Sequence, residues 1–251
     1  MNGLKAVLLN TIFYLSFFLF SASSIPLFTV YIALFWLFMP RRSIMKQFRR
    51  AISWYGFIII KVFPFPFIRI FYRDFGKGDP DGPYLFVCNH RSASDAFLMA
   101  CLPYECVQVV NIWPFRIPVL GMYARLAGYL SIKEMSFEEF SQKSCDLLKR
   151  GVSIICFPEG TRSGSRNMGP FHGSIFRVAL KSRCPIVPLC ISGNEDKPRR
   201  GSLMLHPGII RMHKLPALPW EKYKDLTAFQ LKNKVKDIIA QELAVMEGEG
   251  E

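Results

Sequence analysis

Two short apolar runs, each followed directly by a polar motif, constrain the fold of this chain more than any other feature. The first run, 84–88, leads into the segment 89–95 (NHRSASD). The second run, 152–156, leads into the segment 157–163 (FPEGTRS). Apolar strands that end in polar turns are typical of an open α/β sheet, in which ligands bind outside the carboxyl ends of the strands. We therefore expect both motifs to open into one crevice.

The predicted catalytic pair is His90 and Asp95. Residues five apart lie about 140° apart around a regular helix, so His90 is expected in a turn. Asp95 is then expected in the first turn of a helix capped by Ser92 or Ser94. From there its carboxylate can hold one imidazole nitrogen and leave the other free to accept a proton from a hydroxyl. This arrangement is general-base chemistry that operates near neutral pH.

Taken in this order and spacing, Asn-His-x4-Asp and Phe-Pro-Glu-Gly-Thr-Arg-Ser resemble the glycerolipid acyltransferase family, typified by 1-acyl-glycerol-3-phosphate acyltransferases. The likeness runs over about residues 82–192. It implies transfer of a fatty acyl group from an acyl thioester, either acyl-CoA or an acyl-carrier protein, to the hydroxyl of a lysophospholipid. Lysophosphatidic acid, giving phosphatidic acid, is the first choice of acceptor. No cofactor is expected beyond this acyl donor, which is a substrate.

The two motifs also supply the predicted substrate-binding residues. Gly160 allows the backbone to approach a ligand closely. Arg162 offers a bidentate fork for phosphate, and Glu159 either holds that arginine or binds a glycerol hydroxyl. The complete predicted set is Asn89, Arg91, Glu159, Gly160, Thr161 and Arg162.

The acceptor head group is left open by one departure from the family pattern. Members that accept lysophosphatidic acid usually carry a lysine before a Pro-x-x-Gly block and an arginine after the next strand. Here those neighbourhoods read 111–114 (NIWP) and 132–134 (IKE). Another lyso-lipid, such as an amino-acid lipid, is therefore an alternative acceptor. A membrane-bound acyl thioesterase, in which the same base activates water, and a non-catalytic lipid-binding module are further alternatives.

The N-terminal region is predicted to enter the membrane. Residues 6–40 carry no charge, and the segment 21–26 (SASSIP) interrupts them near the middle. Each half would be about 22 Å long as a helix, shorter than the hydrocarbon core of roughly 30 Å. Lys5 precedes this stretch and five basic residues follow it within 41–50, so both ends are expected on the cytoplasmic side. A helical hairpin is favoured over one tilted span or a signal peptide.

Charge and composition indicate a membrane surface as a partner. The net charge is +13, and the basic residues adjoin apolar stretches. This combination favours an anionic membrane surface over nucleic acid. The segment 54–72 is apolar but broken by prolines and basic residues, so it is expected to lie along the interface. Packing beneath the catalytic domain is the alternative for this segment.

Three parts are predicted along the chain: a membrane hairpin with its basic flank (1–50), an interfacial segment and linker (51–78), and an α/β acyltransferase domain (79–246). The domain is expected to be a mixed sheet flanked by helices that begin at Ser136 and Thr227. An odd number of cysteines without Cys-x-x-Cys indicates a reduced, cytoplasm-facing domain without a metal site. Strands are predicted near 84–88, 107–110, 129–132, 152–156 and 185–191.

Overall fold

A six-stranded sheet organises the chain, of which the computed structural model describes residues 2–79, 82–111, 115–116 and 120–248. The strands are β1 (Ile68–Asp74), β2 (Leu85–Cys88), β3 (Cys106–Gln108), β4 (Ser153–Cys156), β5 (Ile186–Ser192) and β6 (Gly208–Lys214). Their order in the sheet is β1-β6-β5-β2-β4-β3. Neighbouring strands run parallel except β5 and β6, which run antiparallel, so the sheet is mixed as predicted.

Helices cover both faces of this sheet, which confirms the predicted fold class. They are α1 (Asn2–Phe35), α2 (Arg41–Phe57), α3 (Asp95–Leu98), α4 (Leu120–Ala127), α5 (Phe137–Lys149), α6 (Ser174–Ser182) and α7 (Ala228–Gly248), with a π-helical turn at Ile58–Val62 and 3₁₀ turns at Met99–Cys101 and Trp220–Lys222. One face of the sheet packs against α5, α6 and α7 through residues such as Phe140, Phe176 and Leu231. The other face packs against α1 and α3 through Leu9 and Leu98.

The central strands are apolar throughout because both of their faces are covered. Every residue of β2, β4 and β5 is buried. The strands predicted near 84–88, 107–110, 152–156 and 185–191 are confirmed, with small shifts at their ends. The strand predicted at 129–132 is wrong, because that segment contributes only an isolated bridge between Leu130 and Val109.

The helix starts predicted at Ser136 and Thr227 are confirmed by their caps. The Ser136 hydroxyl accepts a hydrogen bond from the Glu139 backbone N–H at 3.2 Å. At Thr227 the capping box is reciprocal, since its hydroxyl accepts from the Gln230 N–H at 3.3 Å and its own N–H donates to Gln230 Oε1 at 2.9 Å. These bonds satisfy backbone donors that a helix leaves free at its first turn.

The first helix, α1, is continuous where the sequence predicts a hairpin turn. Ser21 and Ser23 do not interrupt it, because their hydroxyls donate to carbonyls four residues back at 2.6 and 3.0 Å. Pro26 removes one backbone donor, which a long apolar helix tolerates. The turn predicted near 21–26 is therefore wrong, and the chain instead reverses at 36–40.

α1 and α2 together form the antiparallel pair. Phe28 and Phe20 of α1 meet Phe48 and Tyr55 of α2, each with ring centroids 5.4 Å apart. Residues 3–35 are apolar enough and long enough, at about 50 Å, to cross a membrane. The long apolar helix is thus a candidate membrane span.

The segment predicted as interfacial and linker is drawn partly into the sheet. Ile59, Ile60 and Ile68 are buried against the domain, whereas Phe65 and Phe71 are exposed. β1 lies in this segment and pairs with β6, a strand far away in sequence that the sequence analysis missed as well. Local apolar patterns do not reveal such a pairing. The boundary predicted at residue 79 therefore falls after the first strand of the sheet.

Candidate active site

The two motifs meet at the carboxyl ends of β2 and β4, as their sequence context predicts. Both strands are parallel, so the loops that follow them emerge at one edge of the sheet. The Ser163 backbone N–H donates to the His90 carbonyl at 2.8 Å, and the Gly164 N–H donates to the Arg91 carbonyl at 3.2 Å. The motif loops are therefore joined main chain to main chain around His90.

His90 and Asp95 form the contact expected of them. His90 Nδ1 lies 2.8 Å from Asp95 Oδ2, and the Asp95 side chain is completely buried. The same oxygen accepts the backbone N–H groups of Arg91 at 2.7 Å and Ser92 at 2.9 Å. Of the two serines predicted to cap α3, Ser94 makes no side-chain cap, whereas the Ser92 hydroxyl accepts the Ser94 backbone N–H at 3.4 Å. The Asp95 carboxylate closes the turn through its bonds to Arg91 and Ser92.

The contact with Asp95 orients the His90 imidazole and leaves its Nε2 edge free. An ionised carboxylate only accepts hydrogen bonds, so His90 Nδ1 carries the proton and Nε2 carries the lone pair. The imidazole is partly exposed, at 19% for the side chain, and its ring packs against Phe157 with centroids 4.6 Å apart. Nε2 is thereby held in one orientation as a proton acceptor.

Glu159, in the second motif, accepts hydrogen bonds from two backbone segments. Its Oε1 accepts the His90 backbone N–H and its Oε2 accepts the Gly169 N–H, both at 2.7 Å. Burial raises the pKa of this carboxyl above its ordinary value, while the two backbone donors oppose the rise. No ion pair with Arg162 forms among the described residues, so the predicted use of Glu159 to hold that arginine is not seen.

The remaining residues of the second motif face the crevice in different ways. Gly160 has φ +70°, and a Cβ there would lie 3.2 Å from His172 Nε2, so only glycine fits without strain. Thr161 is exposed and Arg162 is half-buried. Within the described part of the chain the Arg162 guanidinium has no hydrogen-bond or ion-pair partner. Its donors remain available for an anion, as the sequence predicts.

Asn89 and Arg91 are directed into the protein instead. The Asn89 amide exchanges two hydrogen bonds with the backbone of Ile191, at 2.8 and 2.9 Å. The buried Arg91 guanidinium pairs with Glu195 at 2.6 Å and with Glu247 at 2.7 Å. Both side chains fix the His90 loop to neighbouring elements, and their predicted contact with substrate is not supported by this geometry.

Asn194 is a site residue that the sequence analysis missed. Its buried side-chain amide donates to Asp95 Oδ1, the oxygen that His90 does not use. The turn that places Asn194 is made by Gly193, which has φ +79°. A Cβ at this position would lie 2.3 Å from the Ile209 carbonyl oxygen, so there is no space for a side chain. The available signal was the polar run that follows β5, the same strand-and-turn pattern as in the two motifs.

Cys88 lies at the same edge of the sheet, at the end of β2. Burial raises the pKa of its thiol well above the usual range, which disfavours the nucleophilic thiolate. Among the residues that the structure describes, no group of three metal-ligating side chains is assembled.

Two neighbourhoods, 111–114 and 132–134, bear on the acceptor head group. Residues 112–114 lie outside the described residues. In the second neighbourhood Glu134 pairs with Arg125 at 3.2 Å.

Comparison with known proteins agrees with this assembly of motifs on a mixed α/β sheet. The family model described as Acyltransferase matches residues 69–192. A chloroplastic 1-acyl-sn-glycerol-3-phosphate acyltransferase of Brassica napus is 32% identical over 53% of this chain and 40% of its own length. The alpha enzyme of that name from Ovis aries is 30% identical over 62% of this chain and 56% of its own length. Over residues 69–192 the chain carries an acyltransferase domain like that of the 1-acyl-sn-glycerol-3-phosphate acyltransferases it matches.

A solved structure extends the likeness in fold to almost the whole chain. The 1-acyl-sn-glycerophosphate acyltransferase PlsC from Thermotoga maritima matches with a TM-score of 0.73 and 19% identity, covering 98% of both chains. At this identity the match concerns the fold alone. The matched regions span about half the length of the curated relatives described above.

Proposed function

We propose that the protein transfers a fatty acyl group from an acyl thioester to the hydroxyl of a lysophospholipid, with lysophosphatidic acid as acceptor and phosphatidic acid as product. The observation that carries the proposal is the His90–Asp95 contact of 2.8 Å, beside a loop whose Arg162 guanidinium has no partner among the described residues. The matched relatives are named 1-acyl-sn-glycerol-3-phosphate acyltransferases, which supports this acceptor.

In the proposed reaction His90 acts as the general base. Nε2 takes the proton of the acceptor hydroxyl as its oxygen attacks the thioester carbonyl, so a new C–O bond forms. The tetrahedral intermediate then collapses and the C–S bond breaks. The imidazolium returns its proton to the leaving sulfur, which departs as a thiol. Asp95 stabilises the imidazolium throughout, and no acyl-enzyme is required.

Arg162 is proposed to bind the acceptor phosphate. A guanidinium offers two parallel donors that match phosphate oxygens, which a lysine ammonium cannot reproduce. Its guanidinium has no partner in the part of the chain that the structure describes, which supports this role because a half-buried arginine is more often paired within the protein. The acyl donor is proposed to be acyl-CoA or an acyl-carrier protein, both of which present the acyl group as a thioester.

The protein associates with membranes, and its catalytic domain is proposed to face the cytoplasm. α1 contacts the domain at Leu9 near one end and at Ile32 near the other, since both are buried. The helix cannot stand away from the domain without losing these contacts. We therefore propose that α1 lies along one leaflet, with the basic residues of α2 against an anionic membrane surface.

A single assay separates the candidate functions. Purified protein in phospholipid vesicles receives a labelled acyl-CoA or acyl-carrier protein thioester with lysophosphatidic acid, a zwitterionic lyso-lipid or an amino-acid lyso-lipid. The proposal expects labelled phosphatidic acid as the main product. Release of free fatty acid without transfer would identify a thioesterase, and preferred use of either other acceptor would refute the phosphate assignment. A protein that turns over no thioester would be a lipid-binding module.

The phosphate assignment has its own variant pair. Arg162→Ala and Arg162→Lys should both weaken acceptor use, mainly as a higher KM for lysophosphatidic acid. Arg73→Ala is the matched control, because Arg73 is an exposed arginine near the end of β1, at the opposite edge of the sheet. An unchanged acceptor KM in Arg162→Ala would remove Arg162 from phosphate binding and leave the acyl-transfer proposal standing.

A further inference from the structure

The loop 198–205 is tied to the rim of the active site. The Ser92 hydroxyl donates to the Pro198 carbonyl at 2.9 Å, and the Arg200 guanidinium donates to the Arg162 carbonyl at 3.2 Å. Where the two loops touch, a Cβ on Gly164 would lie 3.2 Å from the Arg200 Cβ. The loop therefore forms one wall beside the second motif.

The other end of the same loop is tied to the membrane helix. Asn10 of α1 exchanges two hydrogen bonds with the backbone of Leu205, donating at 2.8 Å and accepting at 2.9 Å. The Tyr14 hydroxyl donates to the Leu203 carbonyl. These bonds join the loop to a helix 195 positions away in sequence, so the loop cannot move away from α1 without breaking them.

Between these two attachments the loop exposes an unusual set of side chains. Leu203 is 75% exposed and Met204 is 51% exposed. Arg199 and Arg200 are exposed beside them, and the loop contains no acidic residue. On α1, Val7 and other apolar side chains are also exposed, so the apolar surface of the helix continues onto the loop.

Apolar side chains flanked by arginines suit the boundary between lipid tails and anionic head groups. Leucine and methionine leave water when they enter the acyl region, while arginines remain at the phosphate level. Two adjacent exposed apolar side chains next to a lipid-facing helix would otherwise stay in contact with water. Continuity with α1 favours a bilayer over an acidic protein as the partner.

We propose that loop 198–205 is a second membrane contact, in which Leu203 and Met204 enter an anionic bilayer while Arg199 and Arg200 bind lipid phosphates. The contact would hold the rim of the active site at the membrane surface independently of the chemistry carried out there. The proposal concerns binding to lipid and does not need acyl transfer, but it rests on the membrane association of α1 proposed above.

The test places an environment-sensitive fluorophore on a cysteine introduced at Leu203 of the full chain in vesicles. The matched control is Phe229→Cys, since Phe229 is 66% exposed and lies on α7, which covers the other face of the sheet. Unsubstituted protein labelled in parallel corrects for the native thiols. The vesicles contain either phosphatidylcholine alone or an equal mixture with phosphatidylglycerol.

In the mixed vesicles the probe at 203 should shift to shorter wavelength and be quenched by nitroxides attached to lipid tails, while the probe at 229 should not. The R199Q/R200Q double variant should reduce quenching at 203 toward the level in phosphatidylcholine alone. A second probe at Met204→Cys guards against a local effect of the label. The proposal would be overturned if the probes at both loop positions remained as exposed to water as the control probe. A shift that requires an added acyl-carrier protein would also overturn it, because the loop would then bind that protein.

Discussion

Two histidine–carboxylate pairs of almost the same length lie in different regions of the part of the molecule that the structure describes. At the crevice, His90 Nδ1 lies 2.8 Å from Asp95 Oδ2. Between β6 and α7, His213 Nδ1 lies 2.6 Å from Glu242 Oε1. The hydrogen-bond distance therefore does not distinguish the pair proposed for catalysis from a pair that connects a strand to a helix.

The distinction lies in which partner is buried. In the crevice the carboxylate is fully buried and the histidine is 19% exposed. In the second pair the histidine is 5% exposed and the carboxylate is 21% exposed. The first arrangement orients the imidazole and leaves one of its edges accessible, as the proposed base requires. The second encloses the imidazole, whose ring also packs against Phe75, and connects β6 to α7.

The largest expected effect separates the two histidines by activity. His90→Ala should lower acyl transfer by about 10²-fold or more, as is typical for the loss of a general base. His213→Ala should leave turnover per folded molecule close to that of the wild type. Rates measured in the same vesicles, normalised to folded protein, test the comparison. Equal losses in the two variants would contradict it.

A second prediction removes the support behind Asp95. Asn194→Ala should lower kcat by about tenfold with little change in the acceptor KM, because a hydrogen bond to a charged group is lost. Asn194→Leu, which has a similar size but no donor, should cause the same loss of kcat with the same small change in KM. Asn233→Ala, on α7, is the control. A kcat equal to that of the wild type in both Asn194 variants would show that Asn194 does not act on the pair.

The His213–Glu242 pair can be weakened separately, and the change is then expected in the free energy of unfolding. Glu242→Gln should lower the free energy of unfolding by about 1 kcal/mol, or roughly 2–4 °C in Tm, because the partner of a buried imidazole is weakened. Its kcat should not change. Glu139→Gln on α5 disrupts an exposed pair with Lys143 and should have a smaller effect. A Glu242→Gln variant with normal stability and reduced kcat would reverse the roles assigned to the two pairs.

The smallest expected effect concerns Glu159, which contacts His90 through its backbone. Because burial raises the pKa of Glu159 in the folded state, the folded protein holds this proton more tightly than the unfolded chain. Stability should therefore fall as pH rises from the ordinary value of 4.5 through the raised value. Glu159→Gln lacks this titration, so the stability of wild type relative to the variant should decrease across that window in thermal denaturation. An increase would mean that the two backbone donors outweigh burial.

Much of this architecture could be predicted because local sequence determines it. β2 and β4 are covered on both faces, so their sequences are continuous apolar runs. The turns that follow them carry the side chains proposed to act on the substrate. The caps at Ser136 and Thr227 are equally local, since each involves residues only three apart. These features require no knowledge of distant contacts.

The features that were missed depend on residues far apart in sequence. β1 is an edge strand whose partner, β6, lies near the other end of the chain. Asn194 reaches Asp95 only because β5 and β2 are neighbours in the sheet. The turn predicted near 21–26 was wrong for a local reason. The serines that indicated a break instead donate their hydroxyls to carbonyls within α1, so the helix continues.

The main-chain bonds between the motif loops have a consequence for how the crevice opens. The amide protons of Ser163 and Gly164 bond to carbonyls of the His90 loop, and the amide of Gly169 bonds to Glu159. Neither loop can swing outward without breaking bonds to the other, so the two belong to one cooperative unit. In hydrogen exchange these three amides should share a single protection factor, and a fluctuation that frees one of them would release the base and Glu159 together.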